Sequence, residues 1–131
     1  MNLLIVDDSK IVRRVLKNTT ARYFKAPEWK EFNVFEAEDG NEAMAIMEKE
    51  KIDIMLLDWN MPNMTGPEVV EAVRAKKEWN KTRIIMATTE GSKSSVLAMI
   101  KKGANGYMVK PFQEEAIFKT LDTITARMPK S

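Results

Sequence analysis

A parallel α/β sheet covered by helices on both faces is the fold class predicted by three features of the chain. There are five short apolar runs, five segments of helical period alternating with them, and acidic or turn residues closing the runs. A run that is apolar at nearly every position needs both of its faces buried, as in a sheet with helices on either side. Successive parallel strands in turn need crossover helices between them. The 131 residues fit one domain, expected to span 1–131 without an output domain, and large enough to close a core without metal clips or disulfides.

The first strand is Leu3-Leu4-Ile5-Val6, stopped by Asp7-Asp8. Ser9 is positioned to cap the following helix. In that helix Ile11, Val12, Val15, Leu16 and Thr19 recur with helical period, which predicts them inside and puts Arg13, Arg14, Lys17 and Asn18 on the wet side. The helix runs on toward Tyr23 or Phe24. The segment Thr19 to Asn33, with Tyr23, Phe24, Pro27, Trp29 and Phe32, is long for a compact connection. It reads as a helix extension and a loop packing its aromatics on the flank of the domain.

Phe32 to Ala37 makes a second strand, punctuated by Glu38-Asp39-Gly40 before a helix over Ala43, Met44, Ile46 and Met47. The apolar run from Ile52 through Leu57 is the third strand and ends in Asp58. Pro62 and Gly66 turn the chain, and Thr65-Gly66-Pro67-Glu68 has the form of a capping box with proline in the first turn. Val69, Val70 and Val73 give that helix its inward stripe. Arg83 to Thr88 is the fourth strand. Thr89-Glu90-Gly91 then leads to a helix whose apolar positions are Val96, Leu97, Met99 and Ile100, with Gly103 as its C-cap. Gly106 to Val109 is a short fifth strand, and Lys110-Pro111-Phe112 opens a last helix carrying Ile117, Leu121, Ile124 and Met128. The ten methionines read as core filler.

Composition removes several function classes. Lys and Arg total 21 against 19 acidic residues, for a formal charge of +2, and the basic residues are scattered, so nucleic-acid binding has no support. Cysteine and histidine are both absent, which excludes thiolate and imidazole metal sites, a histidine general base and a phosphohistidine on this chain. No apolar span approaches membrane length and no cleavable signal is visible, so the expected location is the cytoplasm.

Parallel strands bring their C-terminal ends to one edge, the edge where open α/β sheets bind ligands. Asp7, Asp8, Asp58, Thr88 and Lys110 all fall there. Three converging carboxylates repel, each close pair by up to about 4 kcal/mol at a surface-like dielectric. Lys110 supplies one fixed positive charge. A hard cation with oxygen ligands supplies the rest, and Mg²⁺ suits carboxylates completed by water and phosphate. The chemistry this predicts is phosphoryl transfer, with Asp58 as nucleophile and the Lys110 ammonium and Thr88 hydroxyl steadying the phosphoryl oxygens.

These residues, together with Asp58-Trp59-Asn60-Met61-Pro62-Asn63-Met64-Thr65-Gly66 and Glu36-Ala37-Glu38-Asp39-Gly40, resemble the receiver domain of two-component response regulators, most of all its stand-alone chemotaxis members. The resemblance covers nearly the whole chain. It implies a flavodoxin-like (βα)5 domain with strand order 2-1-3-4-5, and a phosphoacceptor at Asp58 fed by a phosphohistidine on a sensor kinase. It implies Mg²⁺, with Mn²⁺ substituting, on Asp7, Asp8, Asp58 and the backbone carbonyl of Asn60. Thr88 and Tyr107 are then the switch pair, Asn60 and Glu90 the positions that tune loss of the phosphate, and Lys110-Pro111 a cis peptide. The readout face is the fourth helix, fifth strand and fifth helix, including Val96, Ile100, Tyr107 and Val109. The implied target is a flagellar motor switch protein, with a phosphatase as reset factor and the chain itself a monomer.

Each residue alone has a plainer account. Asp7 and Asp8 can serve as acids at a helix start, Thr88 as an ordinary strand residue and Lys110 as a solvated lysine; only their conjunction on one edge points to a site. Other functions fit less well. A phosphatase of the haloacid dehalogenase type needs an aspartate where this chain has Asn60. A flavodoxin-like electron carrier would have Asp7 and Asp8 repelling the flavin phosphate. A phosphorelay intermediate serving a histidine phosphotransfer protein is the main alternative among receivers, and intact Asp58, Thr88 and Lys110 argue against an inert scaffold.

Overall fold

The computed structural model describes residues 1–29 and 31–128. Five strands, β1 (Asn2–Val6), β2 (Asn33–Ala37), β3 (Ile54–Leu57), β4 (Arg83–Thr88) and β5 (Gly106–Val109), alternate with five helices. The helices are α1 (Lys10–Tyr23), α2 (Gly40–Lys49), α3 (Gly66–Arg74), α4 (Lys93–Lys102) and α5 (Glu114–Thr125). All strand pairs are parallel and the order is β2-β1-β3-β4-β5, as expected.

Alternation along each strand divides the core in two. Leu4, Val6, Met55, Leu57, Ile84 and Met86 face α2, α3 and α4, where they meet Ala43, Met47, Val69, Val70, Val73 and Met99. Leu3, Ile5, Ile54, Leu56, Ile85 and Ala87 face α1 and α5, against Leu16, Ile117, Leu121 and Ile124. The central strands are buried on both sides, which is why they read as unbroken apolar runs.

Helix ends follow local chemistry. Ser9 caps α1 by accepting from the Val12 amide, and Asp39 caps α2 by accepting from Glu42. Thr65 and Glu68 form the reciprocal capping box of α3, with Pro67 in its first turn. Gly103 closes α4 in the left-handed region at φ 119°. The long Thr19–Asn33 segment does pack its aromatics on the flank. Phe24 stacks on Phe32 and meets Trp29 edge-on, while Tyr23 meets Phe118 of α5. Lys77–Trp79 adds a 3₁₀ turn between α3 and β4 that the periodicity did not reveal.

One helix face departs from expectation. In α1, Ile11 is 74% exposed and Val15 is also exposed, whereas Arg13 is only 7% exposed. The inward face is Arg13, Leu16, Thr19 and Thr20. The reason is charge: α1 passes the end of β2, where Glu36 and Glu38 draw the Arg13 guanidinium inward. In α4 the buried residue is Met99, and Leu97 and Ile100 are exposed. No helix among the described residues is long and apolar enough to cross a membrane.

Candidate functional site

Strand ends assemble the site. Asp7 follows β1, Asp58 follows β3, Thr88 ends β4 and Lys110 follows β5, so four strands adjacent in the sheet deliver their side chains to one edge. Asp7, Asp58 and Thr88 are buried, and Asp8 is exposed at the rim. One carboxylate oxygen from each of Asp7, Asp8 and Asp58 lies within 4.8 Å of the others. Lys110 Nζ donates to Asp7 Oδ2 at 2.9 Å and stands 3.5 Å from Asp58 Oδ2.

Backbone amides fix the carboxylates. Asp7 Oδ1 accepts from the Ser9 amide at 2.8 Å, and Asp58 Oδ1 accepts from the amide of Trp59 at 2.8 Å. The loop behind Asp58 is held closely. The Gly66 amide donates to the Trp59 carbonyl, and a Cβ on Gly66 would fall 2.4 Å from the Asp58 carbonyl oxygen. Asn63 takes φ 70°, a left-handed conformation that asparagine tolerates, and its side-chain amide donates to Asp39 Oδ2 at 2.8 Å. Sequence reading missed this clamp between the α3-side loop and the start of α2. It also missed the close approach at Gly66, where a glycine beside a capping threonine was the available signal.

The electrostatics are those of a site short of positive charge. Burial pushes the Asp58 carboxyl above the ordinary aspartate value and the neighbouring Asp7 charge pushes it further, while the Thr88 hydroxyl and Lys110 pull the other way. For Lys110, burial favours the neutral amine. The hydrogen bond to Asp7 and the charges of Asp58 and Asp7 outweigh it and hold the ammonium above the usual lysine range.

Three carboxylates matched by one lysine leave room for a dication. The donor set is all oxygen, with no histidine or cysteine in the chain, so the residues present fit a hard ion such as Mg²⁺. Asp7, Asp8 and Asp58 would hold it. Asn60, the other expected contributor, is exposed in the loop directly after Asp58.

The remaining predicted positions lie around the β4 and β5 ends. Thr88 Oγ1 accepts from the Glu90 amide at 3.3 Å, and the Tyr107 hydroxyl donates to the Glu90 carbonyl. The Glu90 carboxylate turns toward the start of α4, accepting from Ser95 Oγ at 3.0 Å and from the Ser92 amide at 3.4 Å. Val109 and Ile100 are exposed, Val96 is half-buried, and Lys110-Pro111 is cis as expected. A cavity of about 360 Å³ walled by Tyr23, Ala26, Trp29, Asp122 and Thr125 contains none of these residues. It belongs to the aromatic flank and not to the carboxylate edge.

Comparison with known proteins points the same way. The family model of the response regulator receiver domain matches residues 3–122. A chemotaxis protein CheY homolog of Campylobacter jejuni is 42% identical, over 95% of this chain and 92% of its own length. CheY1 of Helicobacter pylori is 40% identical, over 95% of this chain and 96% of its own. Among solved structures, the chemotaxis protein CheY4 of Vibrio cholerae superposes with a TM-score of 0.81 at 37% identity, covering 94% of this chain and 97% of that one.

Proposed function

This chain belongs to the response regulator receiver domain family, as a receiver of the CheY-like chemotaxis kind, and from that premise we propose that it carries its signal as a phosphoryl group on Asp58. The donor is a phosphohistidine on a sensor kinase. An Asp58 carboxylate oxygen attacks phosphorus in line; the new O–P bond forms as the P–N bond breaks, and the electron pair leaves with the imidazole.

The chain's own groups prepare that step. The Trp59 amide fixes the plane of the Asp58 carboxylate by holding Oδ1. The Lys110 ammonium, shared between Asp7 and Asp58, is placed to accompany an incoming phosphoryl oxygen. The Thr88 oxygen already accepts from the Glu90 amide, so its proton is available to donate. Mg²⁺ bound by Asp7, Asp8, Asp58 and the Asn60 carbonyl would neutralise charge on the transferring group. Asn60 and Glu90 border the path by which water removes the phosphoryl group.

The output follows from the same residues. Thr88 drawn toward a phosphoryl group disturbs the Glu90 turn to which the Tyr107 hydroxyl is bonded. Inward movement of Tyr107 then reshapes the α4-β5-α5 face, a population shift biased by contacts that only the phosphoryl group makes. We assign the chain a cytoplasmic, monomeric, single-domain role, with a flagellar motor switch protein as target and a phosphatase to reset it. The chemotaxis relatives, each matched over nearly its whole length, support that choice over a phosphorelay role.

The observation that carries the phosphoacceptor reading is Lys110 Nζ bridging two buried carboxylates at 2.9 and 3.5 Å beside a third. The test is incubation with acetyl phosphate and Mg²⁺ followed by intact mass. One phosphoryl adduct is expected in the parent and none in Asp58→Asn; an unlabelled parent, or equal labelling of the variant, overturns it.

A further inference from the structure

Asp7 is held at four points, and only two of them belong to its carboxylate. The Ser9 amide and Lys110 take the side chain, while its main-chain carbonyl accepts from Arg13 Nη1 at 2.6 Å. Arg13 also donates from Nε to Glu36 Oε1 at 3.0 Å, and its Nη2 stands 3.7 Å from Glu38 Oε1. The Asp7 amide donates to the Ala37 carbonyl, so the end of β1 is already laid along the end of β2. One buried guanidinium thereby joins the ends of two strands to the first turns of α1.

We infer that Arg13 is a positioning residue of the acidic pocket. Through the Asp7 carbonyl it holds the Asp7–Ser9 segment, which carries two of the three carboxylates, at the spacing from Asp58 that lets all three share one divalent cation. A planar guanidinium presents its donors in fixed directions, so anchoring Nε on Glu36 also aims Nη1 at Asp7. An ammonium at the same place is a point charge and aims nothing. Taking a guanidinium out of water is costly unless its donors are satisfied, and here the acceptors it reaches are the two β2-end acids and the backbone of the pocket. Arg13 hydrogen-bonds none of the three pocket carboxylates. Its loss therefore acts on cation affinity rather than on the phosphoryl step once the cation is bound.

The inference rests on the pocket being the cation-dependent phosphoacceptor site proposed above, and the experiment separates the two. Mg²⁺ is titrated into the parent, Arg13→Met and Arg13→Lys, following the emission of Trp59, the tryptophan beside Asp58, with thermal melting of each protein free of metal. Labelling by acetyl phosphate is then measured across Mg²⁺ concentration. Arg13→Met is expected to weaken Mg²⁺ binding by about 10- to 100-fold, the range for losing a group that orients a ligand. Its labelling rate at saturating Mg²⁺ should match the parent, and Arg13→Lys should recover only part of the affinity. A purely structural role would lower the melting temperature and leave the Mg²⁺ midpoint unmoved, and that result overturns the inference. Should Arg13→Met not fold, an unchanged midpoint in Arg13→Lys overturns it equally. A parent that binds Mg²⁺ without being labelled sinks the phosphoacceptor reading alone; a parent that binds no Mg²⁺ sinks both.

Discussion

Lys110 donates a 2.9 Å hydrogen bond to Asp7 Oδ2 across 103 residues of chain, tying the end of the last strand to the end of the first. Its removal leaves Asp7 facing Asp58 without a cation between them. Lys110→Met should destabilise the metal-free protein at pH 7 by about 1.5–3 kcal/mol, the range for a charged hydrogen bond. The raised Asp58 value sets the sign with pH. Ionised Asp58 counts against the fold, so the deficit is largest at neutral pH and shrinks as pH falls through its folded value. Urea unfolding at pH 7 and pH 4 checks this. Labelling by acetyl phosphate should fall by about 10²- to 10³-fold, as when one preorganised donor is removed.

Gly66 marks the closest approach of α3 to the Asp58 loop. A Cβ there would lie 2.4 Å from the Asp58 carbonyl oxygen and 2.8 Å from Trp59 Cα, both backbone atoms with nowhere to turn. Gly66→Ala should therefore cost about 1–3 kcal/mol, as overpacking does. It should also slow labelling, because the loop that moves carries Asp58, the proposed phosphoacceptor. Denaturant midpoints with an unchanged m-value are the measure.

Strand-end residues were legible because parallel connectivity alone sends their side chains to one edge; Asp7, Asp8, Asp58 and Lys110 needed no tertiary knowledge. The inward face of α1 was not. Apolar periodicity selects Ile11 and Val15, yet the helix is rotated to bury Arg13 beside Glu36 and Glu38. That choice depends on charges more than twenty residues away, which periodicity cannot weigh. A signal did exist: acids gathered at the ends of two adjacent strands require a counter-charge. The clamp between Asn63 and Asp39 escaped for a similar reason, since a left-handed asparagine is set by loop geometry and not by local pattern.

The two tyrosines should titrate unusually. Burial, the hydrogen bond to Asp122 and nearby carboxylates push Tyr23 up to about 12, and burial with the charges of Glu90 and Asp58 raises Tyr107. Both folded values lie above the free phenol, so the fold favours the neutral form. Stability is then intact below pH 10 and falls as pH rises from about 10 toward 12. Absorbance at the phenolate band should show Tyr23 still neutral at pH 10 in the folded protein. Tyr23→Phe should remove the later-titrating component and flatten the alkaline loss of stability; a normal titration near 10 would contradict the hydrogen bond to Asp122.

The exposed apolar side chains of α4 and β5 bear on the target. Leu97 is 57% exposed, Ile100 46% and Val109 46%, and they lie on the elements joined to Tyr107 and, through Glu90, to Thr88. A partner helix or strand that covers the exposed half of Ile100 gains about 0.7–1.5 kcal/mol from that side chain, which is about 3- to 10-fold in affinity. Ile100→Asp should therefore weaken binding of a flagellar switch peptide by at least that margin while leaving acetyl phosphate labelling of Asp58 unchanged, because the side chain lies outside the carboxylate pocket. In the parent, beryllofluoride at Asp58 should tighten the same peptide. Calorimetry with and without beryllofluoride separates the possibilities. Peptide binding that ignores beryllofluoride would detach the α4-β5-α5 face from the Asp58 pocket. Binding that ignores Ile100→Asp would move the target to another surface.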